Sequence, residues 1–173
     1  MYHCHIHFYF AGHPCRAFEI IKEMSPLVPF THEFSESDRL EEKLTAQADV
    51  ILVSLQGMDA KETTQMLTSK RKEDTEVILL ADREQIQVLS DKLSQFTDIW
   101  TPPLSDEEIR FRFLRWQQAY KMSRDFWETS HFLEATINNV PNLVWYKDKD
   151  GVHEKVNDSF CQTVGKTKKQ VEG

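Results

Sequence analysis

Three features of this chain predict a doubly wound α/β domain: short apolar runs suited to strands covered on both faces, amphipathic stretches between them, and regular alternation of the two. The runs HIHFYF, DVILVSL and EVILLAD are rich in β-branched and aromatic residues and bounded by polar segments, the pattern of buried parallel strands. FTHEF and DIWTP supply two weaker strands. Between them PCRAFEIIKEM, SDRLEEKLTAQ, AKETTQMLTSKRKE and REQIQVLSDKLSQF carry apolar residues at helical spacing, with Ser37 and Asp59 as candidate N-caps. Five alternations imply a five-stranded parallel sheet whose site, if it has one, lies at the carboxyl ends of the strands.

The character of the chain changes after Leu104. From Ser105 onward about 35 residues read as helix without Pro or Gly, which predicts a connecting helix or coiled coil. Pro141 ends it and biases Val140 away from helix. The stretch NLVWYKDKDGVHEKVNDSF then predicts a β-hairpin turning at Asp150-Gly151. Along the long helix Ile109, Phe113, Trp116, Tyr120, Ser123 and Trp127 recur at spacings of four and three, the seam of a coiled coil. A second series, Met122, Phe126, Thr129, Leu133 and Val140, is offset from the first, implying a stutter near Met122. Ile109 and Phe113 serve equally well as the inner face of the sheet domain's fifth helix. Beyond Tyr120 that domain is too short to cover the helix, and large exposed aromatics are costly. Phe126, Trp127 and Leu133 therefore need another partner, either a second copy in parallel or a completed domain after the helix, and a parallel homodimer through Trp116, Tyr120, Phe126, Trp127 and Leu133 is expected.

Bulk properties narrow the function. At 173 residues the chain holds one complete domain and part of a second. The charged and hydrophobic shares, 28% and 40%, are those of a globular chain. A net charge of -7 argues against a nucleic-acid partner, which would need clustered Lys and Arg. No apolar run approaches the ~20 residues that span a bilayer, and the start MYHCHIH lacks the features of a signal peptide. A soluble, cytoplasmic chain with no membrane association is expected. Cys4, Cys15 and Cys161 are scattered, odd in number and without a CxxC pair, as befits reduced thiols.

The order of elements, together with DVILVSLQG, VILLADRE and DIWTPPLS, resembles a response-regulator receiver domain over roughly residues 1–120, which implies its flavodoxin-like fold. In that family an acid pair after the first strand holds Mg²⁺ and an Asp ends the third strand as phosphoacceptor. A Thr or Ser ends the fourth strand, and a Lys precedes a Pro after the fifth. On this sequence the acid pair falls on Ala11 and Gly12, the acceptor on Ser54, the hydroxyl on Ala81, and the Lys on Pro102, followed by Pro103. Phosphoryl transfer rests on charge placed around a dianion. With every such position substituted, the resemblance implies a pseudo-receiver with no catalytic residue, no metal and no assigned cofactor.

Other candidates for chemistry are weaker. Ser54 lacks the G-x-S-x-G elbow of an exposed nucleophile, so a hydroxyl bonded locally at a strand end is expected. Asp59 and Asp82 at the same rim could hold a hard cation weakly, the simpler alternative being a solvated pair. His3, His5 and His7 alternate, as Zn²⁺ or Ni²⁺ ligands on one strand face would. On a strand under a helix His7 is better read as a core histidine and His3 as a frayed end. FAGHPCR has neither glycine-rich phosphate motif.

The last quarter resembles the opening of a PAS sensor domain, through Val140-Pro141-Asn142, Lys147-Asp148, Gly151, Asn157 with Phe160, and Gly165 with Gly173. The resemblance stops before the later helix and strands that complete the family's ligand cavity. The sequence thus divides into a pseudo-receiver (1–120), a signalling helix (121–140) and a truncated α+β PAS segment (141–173). These resemblances imply a non-catalytic regulatory and dimerisation segment, upstream of an output domain such as a histidine kinase or diguanylate cyclase. The alternative is a flavodoxin-like enzyme or small-ligand-binding domain using the strand ends.

Overall fold

The computed structural model describes residues 4–173, which fall into two compact units divided between Lys121 and Met122. In the first unit β1 (His5–Ala11), β2 (Thr31–Ser37), β3 (Val50–Ser54), β4 (Glu76–Leu80) and β5 (Asp98–Trp100) form a single sheet in the order β2-β1-β3-β4-β5. Every neighbouring pair is parallel. The crossovers carry α1 (Arg16–Glu23), α2 (Glu42–Gln47), α3 (Ala60–Lys70) and α4 (Arg83–Val88), and α5 (Asp106–Asn138) follows the last strand. The winding reverses between β1 and β3, so the crevice at their carboxyl ends is the switch point of the fold.

Both faces of the sheet are covered, which is why all five residues of β3 are buried. Because side chains alternate across a strand, Phe8 and Phe10 face one way and Tyr9 and Ala11 the other. The first face packs on Phe18, Ile20 and Ile21 of α1 and on Ile109, Phe113, Trp116 and Tyr120 of α5. The second face, with Ile51, Val53 and Leu79, packs on Leu67 and Leu89. The start of α5 has reciprocal capping: Ser105 Oγ accepts from the Glu108 amide, and Glu108 Oε2 accepts from the Ser105 amide. Acids at 106, 107 and 108 complement the positive end of the helix.

Two local expectations need correction. Ser37 does not cap a helix; it ends β2, because the ladder with β1 runs unbroken from His5↔Thr31 to Ala11↔Ser37, and α2 begins later at Glu42 without a side-chain cap. The single helix expected over REQIQVLSDKLSQF is instead α4 and a separate 3₁₀ turn at Leu93–Gln95. Leu89 turns into the core between them. Asp59, by contrast, does cap α3, its Oδ1 accepting from the Glu62 amide at 2.8 Å.

The second unit holds the rest of α5, the antiparallel pair β6 (Trp145–Lys147) and β7 (His153–Val156), α6 (Asp158–Val164) and α7 (Lys168–Val171). The hairpin turns where Asp150-Gly151 indicated. Asp148 Oδ1 accepts from the amides of Asp150 and Val152, and Gly151 takes φ +84°, open to glycine at no steric cost. Val156 and Asn157 are the only buried residues of this unit.

Asn157 concentrates the unit's polar order in one side chain. Its Nδ2 donates to the carbonyls of Ile137, Val140 and Asn142, and its Oδ1 accepts from the amides of Val144 and Phe160. The same amide thereby satisfies the end of α5, the entry to β6 and the first turn of α6, groups that helix termini otherwise leave unpaired. Among the described residues no helix is long and apolar enough to cross a membrane.

Candidate functional site: the crevice at the strand ends

Four neighbouring strands end at one edge of the sheet and bring the expected pocket positions there. Ala11 ends β1 and Ser54 ends β3. Ala81 follows β4, its amide donating to Trp100 O at the end of β5, and Pro102 lies two residues beyond.

Gly12 decides what the crevice can hold. It has φ +105°, and a Cβ built on it would lie 2.4 Å from the carbonyl oxygen of Ser54. Contact that close excludes every side chain, so backbone packs where a carboxylate would have to stand. Its amide donates to Ser37 O across the ends of β1 and β2. Ser54 itself is buried, and among the described residues no histidine or carboxylate is hydrogen-bonded to it. A serine without a base is not a nucleophile.

The rim is bound to its own backbone. Gln85 Nε2 donates to Leu55 O at 2.8 Å while its Oε1 accepts from the Asp82 amide and Asp82 Oδ1 accepts from the Gln85 amide. Asp82 and Asp59 are thus both helix caps, and both are exposed to solvent. The spacing of Asp82 and Gln85 is a capping box legible in the sequence, and its use in closing the crevice was missed because Leu55 O lies thirty residues away.

The histidines also find partners other than a metal. His5 bonds Thr31 Oγ1 and Glu33 Oε2, and His7 bonds Ser35 Oγ, so both reach across to β2. His3 lies outside the described residues. His7 is half-buried, which corrects its reading as a core histidine. The histidine enclosed by aromatic rings is His32, itself half-buried, whose ring sits 4.8 Å from Phe8, 6.0 Å from Phe34 and 6.1 Å from Phe113. Its Nδ1 is buried without a hydrogen-bond partner. Burial, reinforced by His5, lowers its pKa from 6.5 to about 4, because the charged form would lose its hydration. Among the described residues no group of three His, Cys, Asp or Glu side chains could hold a metal ion.

An open groove of about 410 Å³ lies beside the crevice, between Gly12, Phe18, Glu36, Asp38 and Glu41. Lys22 stands over the ring of Phe10 and pairs with Glu36 at 2.6 Å.

The residues expected to make a dimer separate into two sets. Trp116 and Tyr120 are buried against Phe8, Phe113 and Phe30 in the first unit, so the first heptad series is core as far as Tyr120, while its last members, Ser123 and Trp127, are exposed. Phe126, Trp127 and Leu133 are 74%, 50% and 56% exposed. The order β2-β1-β3-β4-β5 defines a five-stranded, all-parallel α/β protein compatible with a flavodoxin-like fold. No protein-family model and no curated protein sequence matches the chain.

Proposed function

We propose that this chain is a non-catalytic regulatory and dimerisation segment of a multidomain signal-transduction protein. In this reading residues 1–120 are a pseudo-receiver, 121–140 a signalling helix and 141–173 the opening of a PAS sensor domain, set upstream of an enzymatic output such as a histidine kinase or diguanylate cyclase. The observation that carries it is the closed switch-point crevice. Ala11, Gly12, Ser54, Ala81 and Pro102 offer neither an anionic ligand for Mg²⁺ nor a cation for a phosphoryl group, and the Gly12 backbone lies against Ser54 O. A fold that retains the architecture of a receiver without its chemistry acts through surfaces, and exposed apolar residues on the second half of α5 supply one.

The test is an amide-shift titration with beryllofluoride and Mg²⁺. No saturable shift is expected at Ser54 or Ala81; shifts that cluster there and saturate would overturn the pseudo-receiver reading.

A further inference from the structure

The second unit has a groove of about 360 Å³ that its own side chains leave unfilled. One wall is α5, through Phe126, Ser130, Leu133 and Ile137, and the other comes from Val156 on β7 and from α7. Lys168 and Glu134 pair at 2.8 Å and close part of the rim. The interior of the groove is apolar, and Phe126 and Leu133 are mostly exposed.

The spacing of α5 says what reaches it. Met122, Phe126, Thr129, Leu133 and Thr136 follow one another at four, three, four and three, and every one of them is exposed. With Phe126 and Leu133 at a and Met122, Thr129 and Thr136 at d, Ser130 and Ile137 are e positions and Phe132 is a g position. The groove is therefore lined by a and e residues. In a parallel pair of helices a g residue faces the e residue five places on in the partner, which sets Phe132 of one copy against Ile137 of the other. Phe132 is 68% exposed in its own chain. The other g–e pair, Asp125 with Ser130, brings no like charges together. An antiparallel pair would set g against g and face Phe132 with Asp125 or Asn139.

We infer that in a parallel dimer of this chain the Phe132 side chain of each copy occupies the groove between α5 and β7 of the other. Two-fold symmetry fills both grooves with one kind of contact. Covering the exposed parts of Phe126 and Phe132 removes roughly 300 Å² per copy, over a third of the ~800 Å² per partner typical of a stable interface. The inference rests on the dimerisation reading above and adds its register, direction and anchor.

The experiment uses the full chain with Cys4, Cys15 and Cys161 changed to Ser, its association measured by sedimentation equilibrium and its contacts by oxidative cross-linking. Phe132→Cys mixed with Ile137→Cys should form a disulfide at least ten-fold faster than either variant alone, and Thr129→Cys should cross-link with itself. Phe132→Glu, at an exposed site that leaves the monomer intact, should weaken the dimer at least 100-fold. A dimer that ignores Phe132→Glu, or cross-links faster through Trp127→Cys than through Thr129→Cys, would overturn the seating of Phe132 and leave dimerisation standing. A parent chain monomeric at high micromolar concentration would remove both.

Discussion

The two halves of α5 carry the same kinds of residue and meet opposite fates. In the first half Ile109, Phe113, Trp116 and Tyr120 are buried under the sheet; in the second Phe126, Trp127, Phe132 and Leu133 are each at least half exposed. Helical spacing decides which side chains share a face, and nothing more. Burial requires a second surface of sufficient area, which the five-stranded sheet has and the short hairpin of the second unit lacks. Apolar periodicity therefore reports a need for a partner without saying whether the partner lies in the same chain.

The sharpest way to break this comparison is to truncate one member of each half. Phe113→Ala should lower the urea-unfolding free energy of the first unit by about 3–5 kcal/mol, since it opens a cavity among Phe8, His32 and Trp116. A loss below about 1 kcal/mol would mean that the packing around α5 is loose.

In the second unit order depends on a polar linchpin more than on apolar packing. Asn157→Ala strips hydrogen bonds from Ile137, Val140, Asn142, Val144 and Phe160 at once, and should cost on the order of 3 kcal/mol of local stability. Amide exchange at Val144 and Phe160 should accelerate about 100-fold while Val77 to Leu80 remain protected. Equal acceleration in β4 would show that the units unfold together.

A third test uses pH on the aromatic cage of the first unit. His32 folds neutral, with a pKa of about 4 against 6.5 when unfolded. Its lowered pKa leaves stability intact above about pH 6.5. As pH falls from 6.5 towards 4 the unfolded chain takes up a proton that the folded chain refuses, and stability is lost. Allowing for partial solvent access, the loss from pH 7 to 4 is about 2 kcal/mol. His32→Phe should remove that part of the acid sensitivity, measured as the change in urea midpoint. An unchanged midpoint difference between pH 7 and 4 would place the titration elsewhere.

The smallest effect mirrors the first. Phe126→Ser, measured at nanomolar concentration where copies do not meet, should change monomer stability by no more than about 0.5 kcal/mol. A larger loss would mean that the exposed face of α5 is used within the chain.

Much of this molecule can be read from neighbours in sequence. The strands β1, β3 and β4, the long α5, the hairpin at Asp150-Gly151 and the Asp59 cap all arise from local composition, period or turn chemistry. The side chains that reach the crevice, Ala11, Ser54, Ala81 and Pro102, are equally legible, because a residue's identity needs no structure to be known. Ser37 misled because a cap and a strand end share the same residue type, and only pairing with β1 separates them. The histidine alternation misled because hydrogen bonds to Thr31, Glu33 and Ser35 come from a strand more than twenty residues away.

What the sequence by itself determined is therefore the kind and order of most elements and the residue types that stand at the strand ends. Tertiary structure alone decided that the Gly12 backbone closes on Ser54, that His32 rather than His7 is ringed by aromatics, that Asn157 joins three elements, and that the apolar residues of α5 are core as far as Tyr120 while those from Met122 onward remain open. Each of these depends on which distant segments come within a few ångströms, a property of the packed chain that no local window contains.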